Sequence, residues 1–312
     1  MKAEATSNVS IYTEYFTLTD KYRQEYGKKM VVFLQVGAFF EIYGIKTDDN
    51  EISGSNISEV TELCQLNMSE KKITYNNGAV LMAGFRDYTL DKYISRLTEY
   101  GYTIPVYVQE KEGKVITRVL DKVYSAGTLI TCETDSSPIM TNNIMCIWME
   151  TYKPVKRKGK TATNIRDTIV YGISVVNIFT GKSNIFQYET SFYMNTTTFD
   201  ELERYISVYS PSEIIMITPF DDNDLNKIIQ YSGINSNSIH KISNGDDITI
   251  NVKRCSEQRY IKQLLSTFFK EDTYDVCNEF QNDTIATQSF CYLLNFIQEH
   301  NNELVRKISI PE

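Results

Sequence analysis

The sequence predicts a mixed α/β chain in two domains, and three observations predict it. Its 312 residues exceed what one compact core normally organises. Apolar residues switch repeatedly between the two-residue period of strands and the 3.6-residue period of helices. Near Asn143 the pattern itself changes, from a helix–strand mixture to three consecutive strands followed by alternating helices and strands.

The first helix is expected from about Ile11 to Tyr26, where Tyr12, Tyr15, Phe16, Tyr22 and Tyr26 share one face as a core stripe. Val31 to Gln35 reads as a buried strand, and Gly37 permits a break in the backbone after it. A helix is expected over Ser58 to Leu66, a strand over Val80 to Ala83, and then a helix that Thr89 caps and Gly101 stops. Thr103 to Gln109 and Val115 to Val123 form a hairpin around Glu112-Gly113.

In the second half, Ile144 to Glu150, Thr168 to Phe179 and Ser183 to Tyr188 read as strands, with Thr180-Gly181-Lys182 as the tight turn between the last two. Glu201 to Tyr209 and Asp224 to Tyr231 read as helices around the strand Glu213 to Ile217. Gln258 to Phe269 and Thr284 to His300 are later helices. This order matches a ribonuclease-H-like layout.

Composition bounds the chemistry. The 42% hydrophobic and 12% aromatic shares are those of a globular chain, and no apolar run reaches the roughly 18 residues of a membrane span. The N-terminal residues lack the apolar core of a secretory signal, so an intracellular location is expected. Cys64, Cys132, Cys146, Cys255, Cys277 and Cys291 are scattered, and only His240 and His300 supply imidazole, so neither a zinc site nor a disulfide framework is expected. No Gly-x-x-x-x-Gly-Lys-Ser/Thr occurs, which removes the phosphate-cradling loop from this chain. The net charge of −8 argues against strong non-specific DNA binding by the chain alone. Residues 1–130 carry 15 basic and 17 acidic residues, against 17 and 23 in the remainder, so the first half is the expected DNA side.

The most informative stretch is Phe33 to Tyr43. On an extended strand Phe39 and Glu41 point the same way while Phe40 and Ile42 turn into a core. A phenyl ring enters between base steps and stacks, and a carboxyl group beside it hydrogen-bonds a base edge that has lost its partner. A Phe-x-Glu triplet is by itself more often an ordinary strand.

Five further segments stand beside it. Gly37-Ala38-Phe39-Phe40-Glu41 resembles the Gly-Asp-Phe-Tyr-Glu segment of the MutS mismatch-repair family. Met82-Ala83-Gly84-Phe85, with Leu90, Tyr93, Ile94 and Leu97, resembles that family's Met-Ala-Gly-Val-Pro-Tyr-His segment and following helix. The run Arg118 to Thr128, the strand and turn Tyr171 to Gly181, Tyr209 to Ile215, and Ala286 to Leu294 with Ile308 to Glu312 resemble later family segments in the same order. Ala38 stands where the family usually has Asp, Tyr88 where His is common, and Ala126 where Pro is usual.

The resemblance implies a mismatch-recognition domain over 1–131, a linker over 132–140, a ribonuclease-H-like connector domain over 141–302 and the start of a lever region from 303. It implies that Phe39 inserts at a mispair and Glu41 probes the base. From the residues themselves, Gly37 is a structural glycine, and Arg86 and Tyr88, on the loop before a helix, are candidate backbone contacts. The resemblance implies double-stranded DNA with mispairs or small loops as the partner, and repair proteins through the connector. ATP and magnesium belong to the C-terminal ATPase of full-length relatives. The chain is therefore expected to be a monomeric, non-enzymatic fragment of a longer product, with no cofactor of its own. Two alternatives stay open: an interaction scaffold that has lost DNA reading, and a metal-dependent nuclease, against which stands Asn177 at the candidate ligand position. The basic run Lys153 to Lys160 is expected to be a solvated hairpin tip.

Overall fold

A computed structural model of the chain describes residues 2–112, 115–129, 142–153, 167–245, 248–270 and 272–311. It divides into two compact units, residues 1–129 and 130–312. The expected linker, Cys132 and the basic run from Pro154 onward lie outside the described residues.

The first unit opens with α1 (Lys2–Tyr26), longer than its tyrosine stripe predicts. Tyr12, Tyr15, Phe16, Tyr22 and Tyr26 are all buried, as the helical spacing implies. The strands are β1 (Phe33–Val36), β2 (Phe39–Lys46), β3 (Ile52–Ser53), β4 (Ser69–Tyr75), β5 (Gly78–Arg86), β6 (Ile104–Glu112) and β7 (Val115–Tyr124). Six of them run β4-β5-β2-β1-β6-β7, and β3 pairs with β2. All neighbours are antiparallel except β1 and β6. Helices α2 (Ile57–Cys64) and α3 (Leu90–Glu99) complete the unit.

Alternation along β2 assigns its two faces. Tyr43 meets Tyr12 and Tyr15 of α1 edge-on, with ring centroids 5.0 and 5.1 Å apart. On the other face Phe40 stacks on Phe85, which in turn packs on Tyr93 of α3 at 4.4 Å. Gly44 lies on that second face because a Cβ there would come within 2.5 Å of the Ile57 side chain on α2.

Two details correct the sequence expectations. Thr89 makes no side-chain cap on α3; its hydroxyl donates to the Arg86 carbonyl at 2.7 Å, within the 3₁₀ turn Asp87–Thr89. The helix stops as expected at Gly101, whose φ of +77° allows Gly101 N–H to reach the Thr98 carbonyl and Tyr102 N–H the Leu97 carbonyl. Strand β4 is an addition, joined to β5 by a two-residue loop, Asn76-Asn77, with both residues at positive φ, the pattern of a type I′ turn.

The second unit holds β8 (Asn143–Tyr152), β9 (Thr168–Asn177), β10 (Ser183–Ser191), β11 (Glu213–Thr218) and β12 (Ser238–Ser243) in the order β10-β9-β8-β11-β12. The first three are antiparallel, and β11 runs parallel to both β8 and β12. Strand β12 and four short helices, Ile250–Cys255, Thr273–Val276, Asn278–Asn282 and Asn302–Val305, are additions to the expected elements of this unit. Its helices are α4 (Asp200–Tyr209), α5 (Asp222–Tyr231), α6 (Ile250–Cys255), α7 (Gln258–Phe268), α8 (Thr273–Val276), α9 (Asn278–Asn282), α10 (Thr284–His300) and α11 (Asn302–Val305).

Residues Ile144 to Met149 are buried without a break, as a strand covered on both faces requires. One face packs Met145, Ile147, Ile173 and Val175 against Phe199, Leu202, Ile206, Leu225 and Ile228. The other lies under α10 so closely that a Cβ on Gly172 would sit 2.2 Å from the Ile285 carbonyl carbon. Asn177 serves the turn after β9, its side-chain oxygen accepting from Phe179 and Thr180 N–H. That loop, Ile178–Lys182, is longer than the three residues expected and carries Gly181 at a φ of +74°.

Candidate nucleic-acid interface

Gly37 and Ala38 form the two-residue loop joining β1 to β2, with Val36 paired to Phe39 across it. Gly37 has a φ of +62°, the first-position glycine of the II′ pattern, so the expected break is a hairpin tip. The tip is anchored on both sides. Gly37 N–H donates to Gln109 Oε1 at 3.0 Å, Gln109 N–H donates to Gln35 Oε1 at 2.7 Å, and Arg118 Nε donates to the Gln35 carbonyl at 3.0 Å. Arg118 is itself held by Glu14 of α1 at 2.9 Å.

Phe39 is therefore the first residue of β2 beyond a braced loop, with 41% of its surface exposed. Phe40 and Ile42 are buried, as alternation demands. Across the ladder Phe39 pairs with Arg86, the last residue of β5, whose guanidinium lies 5.3 Å from the ring centre. Asp87 N–H donates to the Ala38 carbonyl, which ties the turn carrying Tyr88 to the same tip. Tyr88 is 78% exposed. Gly37, Phe39, Arg86 and Tyr88 are thus gathered at one end of the sheet, an aromatic and cationic edge facing solvent.

Glu41 sits one pleat further in, on the face of Phe39, and is half-buried. The Tyr43 hydroxyl donates to its carboxylate. Burial pushes the Tyr43 phenol far above its ordinary range, and the Glu41 charge pushes it further in the same direction. Tyr12 is raised by the same two causes in the same order. Opposite Glu41 stands Gly84, where a Cβ would come 2.9 Å from the Phe40 carbonyl oxygen and 3.3 Å from Glu41 Cγ. Sequence reasoning missed Tyr43 as a partner of Glu41, although the Glu-x-Tyr spacing places both on one strand face.

Among the described residues no group of three or more His, Cys, Asp or Glu side chains is arranged to hold a metal ion. Cys64, Cys146, Cys255, Cys277 and Cys291 are free thiols, and burial raises Cys64 to about 11 and Cys255 to about 12. No described helix is long and apolar enough to cross a membrane.

The braced hairpin thus presents an exposed aromatic, Phe39, and a tethered carboxylate, Glu41, on one strand face. The chain matches, over residues 13–133, the family model described as MutS domain I. It is 22% identical, over 99% of its length, to the putative DNA mismatch repair protein mutS homolog L359 of Acanthamoeba polyphaga mimivirus, covering 28% of that protein. It is 27% identical over 67% of its length to the DNA mismatch repair protein MutS of Thermodesulfovibrio yellowstonii, covering 20% of it. The chain thus spans a quarter or so of the length of these relatives. Among solved structures, 49% of the chain aligns with 97% of the fowlpox virus resolvase in complex with Holliday junction DNA, at 17% identity and a TM-score of 0.27, a likeness too slight to carry an argument.

Proposed function

We propose that this chain binds double-stranded DNA at mispairs and small loops, with Phe39 entering the base stack and Glu41 hydrogen-bonding the exposed base. The observation that carries the reading is the pairing of an exposed Phe39 with a half-buried Glu41 on the same face of β2, beside a hairpin tip fixed by Gln35 and Gln109. The mimivirus and bacterial relatives, named as mismatch repair proteins, support it.

Specificity follows from deformation. A mispaired step has already lost part of its stacking and pairing, so kinking it around a ring costs less than kinking a matched step. Arg86 and Tyr88 contact the backbone beside the inserted ring, and Arg86 supplies a positive charge at the tip of a chain whose net charge is −8. The second unit serves as a platform for repair partners, and catalysis is not assigned to this chain.

A duplex carrying 2-aminopurine next to a G·T mispair tests the insertion, because the probe brightens when its stacking is lost. The wild-type chain is expected to raise the fluorescence, and Phe39→Ala is expected to bind without doing so. An equal rise with Phe39→Ala would remove Phe39 from the role.

A further inference from the structure

Glu41 is steered by more than its backbone. Tyr43, two residues along the same strand face, donates its hydroxyl to Glu41 Oε2. The Tyr43 ring is 2% exposed and wedged between Tyr12 and Tyr15, each edge-on at interplanar angles of 85° and 83°. A ring so enclosed has one position for its hydroxyl. Because Gly84 faces Glu41 across the ladder, no side chain on β5 competes for that space.

We propose that Tyr43 is the positioning residue for Glu41: it ties one carboxylate oxygen before DNA arrives and leaves the other for the base edge. This deepens the reading given under Proposed function and rests on it. A free glutamate at a strand edge samples several rotamers, and each must be frozen on binding. A carboxylate held in advance by a rigid donor has already given up that freedom, so its hydrogen bond to the base is expressed more fully as discrimination. Tyr43 thereby sets how strongly Glu41 separates one mispair from another.

The test is a double-mutant cycle on the 312-residue chain with wild type, Tyr43→Phe, Glu41→Ala and the double variant. Fluorescence anisotropy is read against matched duplex, a G·T mispair and a one-base loop, with a thermal melt of each variant. Tyr43→Phe keeps the ring in its aromatic nest, so the melt and the affinity for matched duplex should stay close to wild type. The G·T-to-matched ratio should fall about threefold to tenfold, the size of a lost hydrogen bond of this kind. Added to Glu41→Ala, Tyr43→Phe should change the ratio no further. A merely structural role would lower binding to all three duplexes together.

A ratio within twofold of wild type in Tyr43→Phe, while Glu41→Ala lowers it, would overturn the proposal and leave the site intact. Independent, additive losses in the double variant would overturn it as well. If neither Glu41→Ala nor Phe39→Ala moves the ratio, the reading of the site fails and the proposal with it. Should Tyr43→Phe unfold, Glu41→Gln takes its place: its amide oxygen still accepts from Tyr43, so it should keep more of the ratio than Glu41→Ala, and an equal loss would overturn the proposal.

Discussion

The Arg86 guanidinium lies 5.3 Å from the centre of the Phe39 ring, directly opposite it in the β2–β5 register. The two residues end their strands together, so the ring and the charge reach solvent at the same level. An exposed cation–π pair of this kind contributes about 0.5–1 kcal/mol, enough to bias the ring but not to fix it. The charge is then available to a phosphate beside an inserted ring.

If Arg86 meets a phosphate, Arg86→Ala weakens binding to matched and mispaired duplex alike. The slope of log K against log salt should shrink by about 1, the share of one phosphate contact. A salt titration of both duplexes checks this. A changed mispair-to-matched ratio at constant slope would show instead that Arg86 acts by orienting Phe39.

Gly84→Ala introduces a methyl group 2.9 Å from the Phe40 carbonyl oxygen and 3.3 Å from Glu41 Cγ. The backbone has little room to yield in the middle of the β2–β5 ladder, so a loss of about 1–3 kcal/mol in stability is expected. The displaced Glu41 should also blunt mispair discrimination. Denaturant melts together with anisotropy measure both effects, and a variant as stable and as selective as wild type would refute the close packing described here.

Gly172→Ala tests the second unit. Its Cβ would fall 2.2 Å from the Ile285 carbonyl carbon and 2.4 Å from Ala286 N, both backbone atoms. Either α10 lifts off β9 or the strand bends, at a cost of about 3 kcal/mol or more. The chain's single tryptophan, Trp148, is buried in β8, so its fluorescence during urea unfolding reports this unit.

The same signal reads a pH dependence. His300 on α10 is buried and its pKa is lowered from 6.5 to about 4, mainly by burial, while Glu213 and the hydrogen bond to the Phe296 carbonyl oppose the shift and the neighbouring His240 adds slightly to it. The folded value lies below the unfolded one, so the unfolded chain takes up the proton first. This stability is therefore complete above about pH 6.5 and is lost as pH falls toward about 4, a change of about 3 kcal/mol at most. Urea midpoints from Trp148 should drop between pH 7.5 and 4.5 in wild type and drop less in His300→Asn; parallel curves would contradict the assignment.

Local periodicity made most elements legible, and the failures have physical causes. Phe40 and Ile42 alternate with Phe39 and Glu41, so the faces of β2 follow from the pleat. Strand β4, Ser-Glu-Lys-Lys-Ile-Thr-Tyr, alternates apolar residues only at Ile73 and Tyr75, too short a pattern to mark a strand, and the Asn76-Asn77-Gly78 turn is its clearer signal. Strand β12 is a polar edge strand, and its burial of His240 depends on Glu213 at 2.6 Å, a long-range partner. Thr89 had the residue type of a cap, but the carbonyl of Arg86 claimed its hydroxyl first. The Gln35–Gln109 brace of the β1–β2 loop joins residues 74 apart in sequence, beyond the reach of any local pattern.

The most direct test of the central claim is fluorescence anisotropy of the 312-residue chain, wild type and Phe39→Ala, titrated onto matched duplex, a G·T mispair and a one-base loop at one low salt concentration. Phe39 insertion predicts tighter binding to the two defective duplexes, a preference that vanishes in Phe39→Ala while affinity for matched duplex is unchanged. Equal binding to all three duplexes by the wild type, or a preference that survives in Phe39→Ala, would contradict it.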